Sequence, residues 1–341
     1  MTVRMIDIAK KLGVSVVTIS KVLHDHPDIS DETRKRVLNY IKKVDYQPNI
    51  LARSLVTGRS FLVGLVVPDL LHPFFAEIAK SLSQAIGTKG YLLIIASSEE
   101  DPDLEAREIR QLQARRLDAL VIASCAMNSA HIEKLALQSE PYVLIDRNFS
   151  KVSSNFVGTD DVSAGQIATE HLIQMGCRRI AHISGRDNST GQGRLEGYKA
   201  ALHAHGLRYR SEYVISRPNV DVDSNEQGKR AMQILLSRKL RPDGVFCYND
   251  PLAIGAMEQI LDEGLSIPDD IAVIGCGNLH YDSSLRVSLS SIDQQSQLIG
   301  RRAGEVLLEI FKSKKPLPPR TIILEPALMA RASTKRNGTG S

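Results

Sequence analysis

The sequence predicts an α/β protein carrying a small all-α module at its N-terminus, and three observations support that expectation. Over residues 61–330, apolar runs of strand length alternate with amphipathic helical stretches, the pattern of a parallel sheet covered by helices on both faces. Residues 1–45 instead carry helical periodicity in short pieces. Charge divides along the same line: residues 1–60 hold 11 basic and 6 acidic side chains, and the remainder hold 32 and 33. A small basic module joined to a near-neutral body suggests a polyanionic partner for the module.

In the N-terminal module, Ile6, Ile8, Ala9 and Leu12 form the apolar face of a first helix that Gly13 ends. Ser15 can cap a second helix that turns Ile19, Val22 and Leu23 inward. The small Ala9 lets the helices approach and Gly13 can take the φ > 0 turn, so the pattern is a helix-turn-helix. A third helix follows Ser30, with Asp31 and Glu32 favourable at its N-terminus and Val37, Leu38 and Ile41 facing the core. An ordinary three-helix bundle fits these apolar faces equally well, but it explains neither the charge nor the short outward residues of the second helix. On a recognition helix, Val16, Val17 and Lys21 would reach base edges in the major groove, while the hydroxyls of Thr18 and Ser20 hold phosphates. Lys21 can donate to guanine and the valines can meet thymine methyls. Ser30 joins these candidate DNA contacts.

Residues 48–58 form a short helical pattern bounded by Pro48 and Gly58, too short to be stable alone. The body's expected strands are residues 61–67, 91–96, 119–123, 142–146, 179–184, 244–248 and 271–275. About 270 residues favour two such units over one. Cys125, Cys177, Cys247 and Cys276 lie far apart with no paired spacing, which disfavours a zinc site and a disulfide framework. No cofactor or metal is expected. Without a signal-peptide core or an apolar run approaching ~18 residues, a cytoplasmic protein with no membrane association is expected.

An enzyme is the competing reading, since the segment Gly191-Gln-Gly-Arg-Leu-Glu-Gly197 superficially matches a dinucleotide fingerprint. Its third glycine comes one residue late, and no acidic residue closes a second strand further on. Nucleophile elbow, P-loop and metal-spaced histidines are all missing; His203 and His205 stand two apart and cannot converge on one helix face. No catalysis is expected.

Three segments together resemble a known family: residues 5–23 (Met-Ile-Asp-Ile-Ala-Lys-Lys-Leu-Gly-Val-Ser-Val-Val-Thr-Ile-Ser-Lys-Val-Leu), residues 29–37 (Ile-Ser-Asp-Glu-Thr-Arg-Lys-Arg-Val) and residues 46–55 (Tyr-Gln-Pro-Asn-Ile-Leu-Ala-Arg-Ser-Leu). They look like the LacI family of bacterial transcriptional regulators, and the likeness runs to Ala332-Ser-Thr334. The resemblance implies a helix-turn-helix domain at residues 1–47, a hinge helix at 48–58 and a periplasmic-binding-protein-like body of two doubly wound α/β subdomains. These would comprise residues 59–160 with 291–320, and 161–290 with 321–333, joined by crossovers near 160, 290 and 321. Residues 334–341 would be a disordered tail.

It further implies a homodimer on a pseudo-palindromic operator. Paired hinge helices would enter the minor groove, Asn49 capping, Ala52 permitting close approach and Leu55 wedging a base step. A plain linker with its leucine docked on the body is the simpler alternative. The implied effector residues are Phe74, Phe75, Thr190, Arg194 and Asn249, after strands where open α/β sheets bind ligands, with Asp160 near the first crossover and Asp223 five residues before Gly228. Core packing for a phenylalanine and a structural salt bridge for Arg194 are their bland alternatives. The sequence departs from the family at Arg4, where a capping Thr is usual, and at Lys21, where Arg is usual. It departs again at Gly275-Cys-Gly-Asn278, which removes a common carboxylate, and at Asp223, where relatives often stack an aromatic ring. A sugar or sugar derivative is the expected effector class, with a protein partner as the alternative control.

Overall fold

The computed structural model describes residues 3–23, 26–46, 54, 58–126, 132–133, 141–149, 152–216 and 220–336. The chain divides into two units, Met1–Ser60 and Phe61–Ser341.

In the first unit, α1 (Met5–Leu12), α2 (Val16–Leu23) and α3 (Asp31–Lys43) close on a core of Ile8, Ala9, Ile19, Val22 and Val37. Gly13 takes the left-handed conformation (φ 65°) and the Val14 amide returns to the Ala9 carbonyl at 3.1 Å, which ends α1. Ser15 Oγ accepts from the Thr18 amide at 3.0 Å, the cap its position predicts. At α1 an arginine has no acceptor to offer as a cap. Asp7 partly replaces it by accepting the Arg4 amide N–H at 3.0 Å. Two expected core residues, Ile6 and Leu38, are exposed instead. They flank the apolar stripe, and three helices of this length bury only its centre.

The second unit contains two six-stranded sheets. The first is built from β1 (Leu62–Val67), β2 (Leu92–Ser97), β3 (Ala119–Ile122), β4 (Tyr142–Ile145), β5 (Asn155–Thr159) and β11 (Thr321–Leu324), in the order β11-β5-β4-β3-β1-β2. The second comprises β6 (Ile180–Ser184), β7 (Val214–Ser216), β8 (Gly244–Cys247), β9 (Ala272–Cys276), β10 (Ser290–Asp293) and β12 (Ala327–Met329), in the order β12-β10-β9-β8-β6-β7. Neighbouring strands run parallel except β10 and β12, which pair antiparallel. Helices, beginning with α4 (Pro73–Gly87) and α5 (Pro102–Ala114), cover both faces, so each sheet lies between two apolar clusters.

The chain passes between the sheets three times. It leaves β5 for α6 (Asp161–Gln174), leaves β10 for α10 (Ser296–Lys312), and passes directly from β11 to β12. The second and third crossings therefore fall just after residues 293 and 324, a few residues later than 290 and 321. The reason is chemical. β10 begins with two fully buried serines, with no apolar run to mark it, and their hydroxyls are satisfied by the Arg331 carbonyl and by Asp250. The expected tail is also shorter. Thr334 is 1% exposed, and its Oγ1 bonds His171 Nε2 at 2.8 Å and Ser290 Oγ at 2.7 Å. Ser333 Oγ donates to the Val273 carbonyl at 2.6 Å. Residues 333–336 thus belong to the second sheet's packing, and 337–341 lie outside the described residues.

One helix pair positions the site. α6 and α7 (Ser189–Ala204) lie so close that a Cβ on Gly165 would sit 2.2 Å from the Arg194 carbonyl oxygen, and one on Gly197 2.0 Å from that of Val162. Among the described residues, no helix is long and apolar enough to cross a membrane.

Candidate DNA-reading helix and intersubdomain crevice

The outward residues of α2 match the requirements of a recognition helix. Val17 is 62% exposed, Val16 is exposed beside it, and Thr18, Ser20 and Lys21 are half-buried. The Ser15 and Thr18 hydroxyls bond each other at 2.9 Å. Lys21 is engaged within the unit: its Nζ pairs with Asp28, whose other oxygen meets His26 Nδ1 at 2.7 Å. The Lys21 hydrogen bond holds the Asp28 carboxyl below the usual carboxylate range. Exposed pairs of this kind are weak, so a base or phosphate can compete for the ammonium. Ser30 Oγ caps α3, accepting the Thr33 amide at 3.3 Å. Asn49, Ala52 and Leu55 lie outside the described residues.

In the body, polar side chains from the C-terminal ends of strands in both sheets gather in one crevice. From the first subdomain come His72 after β1, Glu100 after β2, Ser124 after β3, and Asp146 and Arg147 after β4. The second brings Arg186, Thr190 and Arg194 after β6, Asp221 after β7, and Tyr248 and Asn249 after β8. Direct contacts tie the two faces. Arg147 pairs with Asp221. His72 Nε2 lies 3.3 Å from Asn249 Nδ2 and 3.7 Å from Asp221 Oδ1. Arg186 Nη1 donates to the Glu100 carbonyl at 3.0 Å, and the Asn148 amide to Ser189 Oγ at 2.9 Å.

Arg194 is buried. Its Nε donates to Asp161 Oδ1 at 2.9 Å, its Nη1 to the Tyr248 carbonyl at 2.5 Å, and its guanidinium lies 4.4 Å over the Tyr248 ring. Burial pushes the Asp161 carboxyl up to about 7 against the pull of Arg194. Asn249 has two duties: its Oδ1 caps α9 (Asp250–Asp262) through the Leu252 amide at 2.9 Å, while Nδ2 donates to the Val220 carbonyl at 2.9 Å. Thr190 Oγ1 bonds Tyr248 OH and Asn188 Oδ1, both at 2.8 Å. Phe74 and Phe75 belong to the first subdomain's core, edge-on to each other at 5.1 Å and packed against His72. Burial lowers the His72 pKa, which keeps the ring neutral.

Two expected residues are displaced by their neighbours. Asp160 caps α6, accepting the Ser163 amide at 3.0 Å and its hydroxyl at 2.7 Å, and the carboxylate on Arg194 is Asp161. Asp223 is exposed in the left-handed conformation (φ 53°) ahead of α8 (Ser224–Leu236), and the buried acid is Asp221. Arg147 and Glu100 were not foreseen, although both follow strands that the apolar runs had marked.

Asp250 is structural. Its carboxylate accepts from Ser291 Oγ at 2.6 Å and the Leu279 amide at 3.2 Å. It also fills the space in which a Cβ on Gly275 or Gly277 would stand, 2.1 and 2.7 Å away. Beside it, burial and the Asp250 charge push the Asp282 carboxyl up to about 9. The dinucleotide reading of residues 191–197 fails on geometry. Gly191, Gly193 and Gly197 lie inside α7, and Cβ atoms there would meet Arg186 O, Asp161 Cβ and Val162 O at 1.9, 2.8 and 2.0 Å. These glycines let backbone and helices pack, and none opens a phosphate cradle.

Comparison with known proteins agrees with both units. Residues 60–330 match the family described as periplasmic binding proteins and sugar binding domain of LacI family, and residues 4–49 match bacterial regulatory proteins, lacI family. The chain belongs to the LacI family. It is a DNA-binding transcriptional regulator and not an enzyme. LacI-family relatives include the HTH-type transcriptional repressor PurR of Erwinia tasmaniensis, 32% identical with 96% of this chain and 95% of that protein covered. The ribose operon repressor of Halalkalibacterium halodurans is 29% identical, with 96% of each covered. Among solved structures, the transcriptional regulator CelR in complex with cellobiose matches at TM-score 0.73 and 26% identity, covering 97% of this chain and 99% of that one. The lac repressor dimer bound to operator and the anti-inducer ONPF matches in fold at TM-score 0.84 and 22% identity, covering 98% and 99%.

Proposed function

We propose that the protein is a homodimeric repressor whose affinity for a pseudo-palindromic operator is set by a small molecule, a sugar or sugar derivative, held in the crevice between the body subdomains. The observation that carries this reading is the convergence of buried polar side chains from the strand ends of both subdomains on one crevice. A ligand touching both faces would change how the subdomains meet, and a two-subunit DNA reader senses such a change through the spacing of its two halves. Arg194, Asn249 and Thr190 are the proposed effector contacts, with Asp161 and Asp221 in the roles expected of Asp160 and Asp223, and Phe74 and Phe75 backing His72. On DNA, Val16, Val17 and Lys21 meet base edges while Thr18, Ser20 and Ser30 lie toward phosphate. Asn49, Ala52 and Leu55 form the hinge that enters the minor groove. The family description of residues 60–330 and the cellobiose complex of a relative support the ligand class.

A groove of about 350 Å³ lined by Leu70, Phe75, Ala79, Leu93 and Ile95 supports dimerisation along the β2 edge. Leu71, 88% exposed, and Leu92 are apolar residues left in water near it.

The test is selection of duplexes from a randomised pool, followed by anisotropy titration of the winning sequence with and without a panel of sugars. The expected result is a two-fold symmetric site whose affinity one of the sugars shifts by about tenfold, a coupling of 1–3 kcal/mol being usual. Asymmetric winning sequences, or an operator affinity that no sugar moves, would refute the proposal.

A further inference from the structure

Among the described residues, the carboxylates Glu100, Asp146, Asp161 and Asp221 face the crevice with the guanidiniums Arg147, Arg186 and Arg194. Each guanidinium is already engaged. Arg194 is held by Asp161 and the Tyr248 carbonyl, and Arg186 by the Glu100 carbonyl. Arg147 pairs with Asp221 and donates to the Ser124 carbonyl at 3.3 Å, with Glu100 Oε1 and Asp146 Oδ2 each at 3.5 Å. His72, neutral, adds no charge. Among the described residues, an anionic ligand would meet no uncommitted cation in the crevice.

Glu100 is the exception to this saturation. It is 3% exposed, and both carboxylate oxygens are buried without a hydrogen-bond donor. The Arg147 and Arg186 guanidiniums stand 3.5 and 3.9 Å from its Oε1, and the Asp221 backbone lies beside it. Burial and the Asp221 charge push its carboxyl up to about 7. A buried acceptor left without a donor destabilises the fold, more so when charged. Its place in the crevice wall points to a donor supplied from outside the chain. Arg147 indicates the kind of donor: one cationic group received between Glu100 of the first subdomain and Asp221 of the second.

Resting on the effector crevice proposed above, we infer that its ligand is a polyhydroxylated molecule bearing an ammonium group, an amino sugar. Glu100 and Asp221 receive the ammonium in competition with Arg147, and the hydroxyls fall to Asn249 and Thr190. The experiment is calorimetric titration of the full-length protein with D-glucosamine, D-galactosamine and D-mannosamine. The parent hexoses, the N-acetyl forms, D-glucuronate and glucose 6-phosphate are titrated alongside, and the selected operator is followed by anisotropy with the same compounds. At least one amino sugar is expected to bind about tenfold more tightly than its parent and its N-acetyl form, the margin of one charge-assisted hydrogen bond. Glu100→Gln and Asp221→Asn, each checked by circular dichroism, should cut that margin to about threefold or less. Because Glu100→Gln alone could disturb packing, Glu100→Asp serves as the conservative partner and should retain part of the margin.

Tighter binding of the acid or the phosphate, no binding of any amino sugar, or a margin that survives in both variants overturns the inference. A neutral or acidic sugar that binds and shifts operator affinity also overturns it, while leaving the effector-controlled repressor standing. An amino sugar that binds with the expected margin but leaves operator affinity unchanged gives the converse.

Discussion

Replacing Gly197 by alanine tests whether the close approach of α6 and α7 holds the crevice together. The added Cβ would lie 2.0 Å from the Val162 carbonyl oxygen and 2.6 Å from the Gln166 amide nitrogen. Both are backbone atoms, which cannot rotate away, so the helices must separate by about 1.4 Å to restore ordinary van der Waals contact. That displacement takes the 2.9 Å bond from Arg194 to Asp161 beyond hydrogen-bonding range. Overpacking of this kind costs about 1–3 kcal/mol, and loss of a hydrogen bond to a charged group about 1.5–3 kcal/mol. Alanine's helix propensity returns about 1 kcal/mol. The net expectation is a loss of about 3 kcal/mol, or about 6 °C in melting temperature at the low end of the scaling for large domains. Urea denaturation and calorimetry read it directly. Gly87→Ala is the control, since a Cβ there meets nothing within 4 Å, and it should stay within about 0.5 kcal/mol of the parent. A Gly197→Ala protein as stable as that control would refute the packing argument.

Asp282 retains a proton in the folded chain that the unfolded chain releases above pH ~4. Its contribution is therefore full below that pH and is lost as pH rises through about 9. Asp282→Asn should flatten the fall of melting temperature between pH 7 and 9, and parallel curves for the two proteins would count against the raised pKa. Val17→Asp changes an exposed side chain and should leave the melting temperature unmoved while weakening operator binding about a hundredfold or more, as a misplaced charge facing bases and phosphate would; anisotropy decides. Operator affinity should fall with a log–log salt slope of about −5, the value for six neutralised phosphates. A flat slope measured in potassium glutamate and chloride alike would remove the case for phosphate contacts by the basic unit.

The helix-turn-helix was legible because its marks are local: an apolar stripe, the Gly13 turn and the Ser15 cap each act within a few residues. Arg194 and Asn249 were named through the family resemblance, and the rule that ligands gather at strand ends directed attention to the segments that hold them. What the rule could not give is direction. Asp146, Glu99 and Glu100 turn their backbones into the left-handed region, with φ of 61°, 49° and 54°, and for residues other than glycine no local pattern announces that turn. Hence Arg147 and Glu100 went unseen, although the strands before them had been placed. Asp160 and Asp161 illustrate a second limit. Adjacent carboxylates at a helix start face different ways, one capping backbone amides and the other entering the crevice, and sequence position alone does not assign the duties. β10 was hidden because its buried serines satisfy their hydroxyls through partners 41 residues away at Arg331 and at Asp250.

The late crossings also affect how the protein is made. α10 and β11 complete the first subdomain, and β12 with Ser333 and Thr334 completes the second. A ribosome that has released only residues 61–290 has delivered nine strands but finished neither sheet. The body must therefore wait, with apolar strand edges uncovered, for its final 45 or so structured residues, and chaperone demand should peak late in translation. Truncation anywhere before Thr334 would leave two unfinished subdomains or one, where a simple two-bead arrangement would have spared the first.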